Sequence, residues 1–327
     1  MSRVTALILR RLIGAAPVLL IVIVGAFFML EAAPGDAVDA YAASTGGDAA
    51  LIEKLRRDWG LDQSPLARLQ LFVSRLAVGD LGWSVTFSRP VATVILERLP
   101  NTLLLMTAAT ALSFFLGSLL GLAAGARPRS WLDRTLSIGS LALYAMPSFW
   151  LGLILLIVFS VQLKWFPLSG VETIASGLTG LQRAVDIAWH LALPVSALGF
   201  IYLALYLRMM RAGMAEAWRS DFVRGLRARG LSERRVLRHV ARNAMSPLVT
   251  MLGVQSAAML GGSVVIESVF SIPGMGRLAA EAVAARDTPL LLGVIIASAL
   301  MVMLINLLVD IAYLWLDPRI GASGETL

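Results

Sequence analysis

The stretch DFVRGLRARGLSERRVLRHVARNAMSP, residues 221–247, is the most informative part of this chain. It is strongly cationic, and it stands between hydrophobic segments that are each long enough to cross a bilayer. Residues 208–242 contain ten arginines against Glu216, Asp221 and Glu233, a balance of +7. Because the whole chain also has a formal charge of +7, the rest of the sequence is neutral in sum. The pattern indicates a membrane protein with one cationic loop.

The first half of this loop has the pattern of an amphipathic helix that ends in a turn. Apolar Trp218, Phe222 and Leu226 recur at every fourth position, which favours a single helix. Gly230 then supplies the left-handed residue that commonly follows a helix. The pattern predicts a helix, a glycine turn and a second helix.

The second helix is predicted to begin after Ser232, whose side chain would cap it. Glu233 lies in its first turn, where the helix dipole favours an acid. The predicted apolar stripe comprises Val236, Leu237, Val240, Ala241 and Ala244. Each short helix can therefore pack one face and present the other to a partner.

Composition places the chain in a membrane. Hydrophobic residues make up 58% and charged residues 15%, and a soluble globular domain has nearer a quarter charged. The absence of cysteine excludes disulfides, thiolate metal sites and a cysteine nucleophile. The basic residues lie beside membrane spans, which gives no support to a nucleic-acid role.

Six stretches are long enough to span a hydrocarbon core, which needs about 20 apolar residues. They are residues 12–30, 102–125, 135–163, 189–207, 248–267 and 290–314. The amino terminus and the loops after spans two and four carry the excess of arginine, so the positive-inside rule places both termini in the cytoplasm. A cleaved signal peptide is the competing interpretation of the first span, but an apolar run of 19 residues is longer than the roughly 7–15 typical of signals.

Residues 31–98 form the one sizeable hydrophilic region, which the topology places outside the membrane. Helices are predicted over residues 49–59 and after Ser64, where Pro65 takes the first helical position and Gly79 marks the stop. This region is either a docking surface for an extracytoplasmic solute receptor or part of the gate, or it is a cap that shields the outer span ends.

Catalytic chemistry is not indicated. A P-loop needs Gly-x4-Gly-Lys-Ser/Thr, and neither lysine in this chain follows a glycine. His190 and His239 lie in loops on opposite sides of the membrane, so they form no zinc site or nucleophile-base pair. The chain is therefore not expected to be an ATPase or another enzyme, nor to bind a metal or cofactor itself.

Several residues within or near the spans have two interpretations. Glu267 and Asp310 are near span ends, where an acid is either interhelically bonded or, for Glu267, part of an outer gate. Pro147 and Pro194 free backbone carbonyls inside spans three and four, so they either shape a cavity or only bend a helix. Pro147 and Glu267 are the two candidates for the substrate path.

Small residues repeat every fourth position in two spans and predict close helix packing, either within the chain or between subunits. The two sets are Gly117, Gly121 and Gly125, and Gly253, Ala257 and Gly261.

The cationic stretch resembles the cytoplasmic "EAA" loop of ABC importer permeases of the peptide and nickel class. Other segments resemble that class in its order, so the resemblance covers nearly the whole chain. They are RPVATVILERLPNTLLL (89–105), PSFWLGL (147–153), WFPLSG (165–170), ESVFSIPGMGRL (267–278) and LLVDIAYLWLDPRI (307–320). The chain departs from the pattern at residues 224–226, where Arg-Gly-Leu replaces Glu-Ala-Ala, although Gly230 is retained.

The resemblance implies an all-α polytopic protein with six transmembrane helices, the type I ABC importer permease fold and an extracytoplasmic insertion after the first helix. The long amino-terminal region is similar to that of the first, or "B", permease of dipeptide and oligopeptide systems. The implied divisions are residues 1–30 for the amino-terminal tail and first span, 31–98 for the extracytoplasmic subdomain, 99–320 for the permease core with its coupling loop at 211–247, and 321–327 for the cytoplasmic tail.

The implied role is half of the transmembrane pathway of an ATP-driven importer in a bacterial inner membrane. The implied substrates are short peptides, with nickel chelates, glutathione or glycans also in the range of the class. Implied partners are a second permease, two ATP-binding subunits that hold ATP and Mg, and an extracytoplasmic solute-binding protein. The residues implied to contact the ATPase are Phe222, Val223, Leu226, Ala228, Gly230, Leu231, Ser232 and Glu233.

An ion- or proton-coupled secondary transporter is the alternative. It would explain the spans, but it predicts charges at mid-membrane or inverted repeats, and neither is evident in the sequence. The cationic loop also has a simpler interpretation as a topology signal that is attracted to anionic lipids.

Overall fold

The computed structural model describes residues 3–32, 53 and 63–316, and most of these are helical. The predicted helix at 49–59 and the predicted tail at 321–327 lie outside the described residues, apart from residue 53. The elements are α1 (Arg3–Glu31), α2 (Pro65–Ala77), β1 (Trp83–Ser84), β2 (Arg89–Pro90), α3 (Val91–Ala126), α4 (Trp131–Ala145), α5 (Ser148–Leu155, continued by a π-helical segment Leu156–Gln162), α6 (Gly180–Arg219), α7 (Asp221–Ala228), α8 (Glu233–Val269), α9 (Met275–Ala284) and α10 (Thr288–Leu316).

Five of these helices, α1, α3, α6, α8 and α10, are each long and apolar enough to cross a membrane. The remaining predicted span, residues 135–163, corresponds to a pair of helices, α4 and α5, bent by 104° at the break between them. Pro147 stands at this break and has no N–H, and Met146 before it has the extended conformation (ψ 135°) that a following proline favours. The prediction of an all-α polytopic protein is confirmed, although the third span is broken rather than continuous.

The described residues within 1–102 and 273–307 form one compact unit. In its described part, α2 begins as predicted, because the Ser64 hydroxyl accepts a hydrogen bond from the Ala67 N–H (3.4 Å) and Pro65 takes the first position. Gly79, just beyond the helix, is left-handed (φ +80°). Among the described residues, no side chain of α2 is buried, so this helix contributes to no packed core there.

A short hairpin of β1 and β2 in this unit is held by one buried carboxylate. Oδ2 of Asp287 accepts hydrogen bonds from the Ser84 hydroxyl (2.6 Å) and the Thr86 N–H (2.9 Å). Its Oδ1 accepts from the Leu290 N–H (3.2 Å) in the first turn of α10. Asp287 therefore caps α10 and fixes the hairpin at the same time.

The described residues within 103–272 and 308–327 form the second compact unit. Within it α3 packs closely on α6 along the predicted glycine stripe. A Cβ added at Gly121 would lie 2.5 Å from the Leu207 carbonyl oxygen, and one at Gly117 would lie 2.8 Å from that of Leu203. This stripe is therefore an internal seam. By contrast, a Cβ at Gly261 on α8 would meet nothing within 4 Å.

Candidate coupling site

The helix that leads into the cationic loop is longer than the sequence pattern suggested. α6 is a single 40-residue helix that ends at Arg219, and α7 begins at Asp221 after Ser220, which is extended (ψ 152°). Trp218 therefore lies in the last turn of α6, whereas Phe222 lies on α7. The prediction of one helix carrying both was wrong, because the four-residue spacing of apolar residues continues across a one-residue break that periodicity does not reveal.

The turn after α7 forms at Gly230, as predicted. Gly230 has φ +76°, and its N–H donates to the Arg227 carbonyl (2.9 Å). The N–H of Leu231 donates to the Leu226 carbonyl (3.3 Å). These two bonds make a Schellman motif, in which a left-handed residue lets the last carbonyls of the helix find donors.

The start of α8 differs in one detail from the prediction. The Ser232 backbone is extended and its carbonyl accepts from the Arg235 N–H (2.8 Å), but its side chain makes no capping hydrogen bond. Glu233 instead links the helix start to α7, because its carboxylate accepts two hydrogen bonds from Arg227 (2.9 and 3.1 Å). These bonds raise the pKa of Arg227 above its ordinary value. The Arg227 guanidinium also lies over the Trp218 ring, 5.6 Å from its centroid.

The inner face of the loop is docked on α6. Val223 is buried, and so is the predicted stripe of α8 at Val236, Val240 and Ala244. They form one cluster with buried residues of α6, and the half-buried Phe222, Leu226, Leu231, Leu237 and Ala241 pack against it. The loop is therefore a folded part of the second unit.

The predicted contact residues divide into three groups by exposure. Ala228, Gly230, Ser232 and Glu233 are exposed at the turn. Val223 is only 1% exposed, so it cannot touch a partner while the loop keeps this fold. Phe222, Leu226 and Leu231 lie between these extremes.

α8 continues far beyond the cationic loop. The second loop helix is the first part of a 37-residue helix that passes through Pro247 to Val269. The loop and the fifth span are thus one element, which the sequence pattern had divided at the proline.

Side-chain hydrogen bonds attach this region to α3 and α4, and the sequence pattern did not predict them. The Trp218 Nε1–H donates to the Gly125 carbonyl (3.1 Å) at the end of α3. On α4, the buried Asp133 accepts two hydrogen bonds from Arg211 of α6, with the Nη2 contact at 3.0 Å, and a third from the Arg129 N–H (2.9 Å). The signal for Asp133 was its place three residues after Ser130, which caps α4.

The two substrate-path candidates lie in different surroundings. Pro147 is exposed at the α4–α5 break. The Glu267 side chain is fully buried near the end of α8. Within this chain, Glu267 therefore does not line an open surface.

Comparison with known proteins accounts for both halves of the chain. Residues 117–322 match the family described as "Binding-protein-dependent transport system inner membrane component", and residues 4–106 match its N-terminal counterpart. The oligopeptide transport system permease protein AppB of Bacillus subtilis is 36% identical over 320 residues, with 96% of this chain and 99% of that protein covered. The glutathione transport system permease protein GsiC of Pectobacterium atrosepticum is 37% identical, with 95% and 97% covered.

Among solved structures, the chain is similar to one of the MetNI methionine ABC transporter in an inward-facing conformation. The TM-score is 0.52 at 16% identity, and the match covers 69% of this chain and 97% of that one. This likeness shows the fold of an ABC importer permease. Together with the two family matches, it shows that the chain belongs to the family of inner membrane components of binding-protein-dependent transport systems.

Proposed function

We propose that this chain is one permease half of an ATP-driven importer of short peptides. The substrate class rests on relatives named as oligopeptide and glutathione permeases, which match over nearly the full length of both chains. The family does not favour the secondary transporter considered as an alternative.

The observation that carries the coupling mechanism is the exposed glycine turn on a rigidly docked loop. Its inner face is buried against α6, while Ala228, Gly230, Ser232 and Glu233 face outward. ATP and Mg would be held by partner subunits. Closure of those subunits on ATP would push on this turn. Phe222, Leu226 and Leu231 would border the contact, and Val223 would anchor it from inside.

Displacement at the turn would reach the membrane through α8. This helix has 37 residues, so at 1.5 Å per residue it is about 55 Å long. Because the loop and the span share one helix, a shift at Glu233 moves the span with it. Such a shift would bias the permease between inward-open and outward-open states.

The proposed assembly contains a second, similar permease, two ATP-binding subunits and an extracytoplasmic solute-binding protein. In the proposed topology both termini and the 211–247 coupling loop are cytoplasmic, and residues 31–98 form an extracytoplasmic subdomain. The permease core is residues 99–320.

The experiment that tests this proposal is purification of the chain from its own membrane with whatever subunits accompany it, followed by peptide uptake in proteoliposomes. We expect ATP-binding subunits to copurify, and labelled peptide to accumulate only with ATP and the external receptor. The chain freed of partners should hydrolyse no ATP. Uptake that is driven by an ion gradient without ATP would refute the proposal.

A further inference from the structure

One face of α8 carries an exposed row of arginines just before the helix enters its uncharged segment. Val236, Val240, Ala244 and Leu248 are buried at four-residue intervals, which fixes the rotation of the helix. Arg238 and Arg242 each lie two residues, about 200°, from that buried stripe, and both are exposed. The exposed Arg235 lies one turn before Arg238.

The position of this row relative to the bilayer follows from the length of the uncharged segment. Residues 243–266 of α8 contain no charged side chain, and these 24 residues rise about 36 Å. A hydrocarbon core is about 30 Å thick, so Arg242 lies within about 6 Å of its edge. Arg238 is one turn farther out. Both arginines thus reach the depth of the lipid headgroups.

The row is not neutralised by the acids of the loop. Asp221 pairs with Arg224 (3.2 Å) and Glu233 pairs with Arg227 (2.9 Å), both on the other side of Arg235. Arginines four residues apart on a helix repel one another. An anion that binds between Arg238 and Arg242 would remove this repulsion.

The same exposed face becomes apolar beyond Arg242. Met245, three residues on, lies about 60° around the helix from Arg242 and is 39% exposed. A cationic pair at headgroup depth, with an exposed apolar side chain beside it on the membrane side, matches the polarity of an anionic amphiphile.

We propose that Arg238 and Arg242 form a binding site for the phosphate of an anionic phospholipid, whose acyl region lies beside Met245. The site lies on the membrane side of the loop, about 18 Å of helix from the Gly230 turn. It does not depend on the identity of the transported solute.

The test is native mass spectrometry of the full chain in detergent, titrated with phosphatidylglycerol and, in parallel, with phosphatidylcholine. We expect the wild-type protein to retain phosphatidylglycerol preferentially. Arg238→Gln with Arg242→Gln should weaken that binding about thirty-fold, which is ~2 kcal/mol for two cations near an anionic surface. The Lys/Lys double variant should retain most of it.

The matched control removes two other exposed arginines, with Arg219→Gln and Arg229→Gln. This pair lies farther from the uncharged segments of the helices. We expect phosphatidylglycerol binding to change by less than about threefold in this variant. Equal loss in both double variants would mean that only total charge matters, which overturns the site. Equal retention of both lipids also overturns it.

Two further outcomes would assign the arginine row to another ligand. If glycerol 3-phosphate competes as well as the lipid, the site binds a soluble phosphate. If the Gln/Gln variant keeps its phosphatidylglycerol but loses copurifying subunits in lipid-free detergent, the row is a protein contact. Either result refutes the lipid proposal while leaving the coupling turn untouched.

Discussion

Replacement of Gly230 tests the coupling turn most sharply, because the chain supplies its own control at Gly225, five residues earlier. A change to alanine adds one methyl group at either position. A Cβ at either Gly230 or Gly225 would meet nothing within 4 Å, so neither substitution causes a steric clash. Gly230 is left-handed (φ +76°), whereas Gly225 is inside helix α7. The two alanine variants therefore differ in backbone conformation alone.

The two variants should change local stability in opposite directions. A left-handed conformation costs a residue with a Cβ about 1–2 kcal/mol, so Gly230→Ala should open the turn. Alanine in a helix is favoured over glycine by about 0.5–1 kcal/mol, so Gly225→Ala should strengthen α7. Gly230→Val should cost more than Gly230→Ala, because valine is β-branched.

Hydrogen exchange of the turn amides measures this effect directly. The Gly230 and Leu231 N–H groups donate to α7 carbonyls, so their protection reports whether the turn is closed. If Gly230→Ala lowers the free energy of opening the turn by about 1–2 kcal/mol, the Leu231 amide should exchange about 5- to 30-fold faster than in the parent. Gly225→Ala should exchange more slowly than the parent.

The functional measurement is uptake per ATP hydrolysed by the reconstituted complex. We expect Gly230→Val to insert into the membrane normally and to capture solute through the external receptor, but to lose ATPase subunits or to hydrolyse ATP without uptake. Unchanged exchange at Leu231 would refute the strain assigned to the turn. Parental uptake by Gly230→Val together with a silent Phe222→Asp would show that the loop is only a positive-inside anchor.

Three further predictions concern topology and packing. A cysteine at Ser176 should react with an impermeant thiol reagent in intact cells, and one at Ser232 only after permeabilisation; labelling of Ser232 from outside would contradict the topology. Gly121→Ala forces a Cβ against the facing backbone and should cost about 1–3 kcal/mol in thermal unfolding, whereas Gly139→Ala, with open space around it, should not. Asp287→Ala leaves buried donors without an acceptor and should cost about 1–3 kcal/mol, with Asp287→Asn closer to the parent.

The sequence by itself determined the class of fold, the location of the spans and the glycine turn. Long uncharged apolar runs have few alternatives to membrane helices, because a bilayer offers no partner for unpaired backbone groups. Gly230 was predictable because few other residues adopt the left-handed conformation without strain. The buried stripe at Val236, Val240 and Ala244 followed from helical periodicity alone.

Only the tertiary structure decided where the helices break and which faces they bury. The single-residue break at Ser220 and the continuity of α8 through Pro247 leave the apolar period unchanged, so periodicity cannot detect them. The links from Trp218 to Gly125 and from Arg211 to Asp133 join residues 93 and 78 positions apart. Such pairings depend on how whole helices are placed relative to one another. That placement is set by tertiary packing and cannot be read from the local sequence.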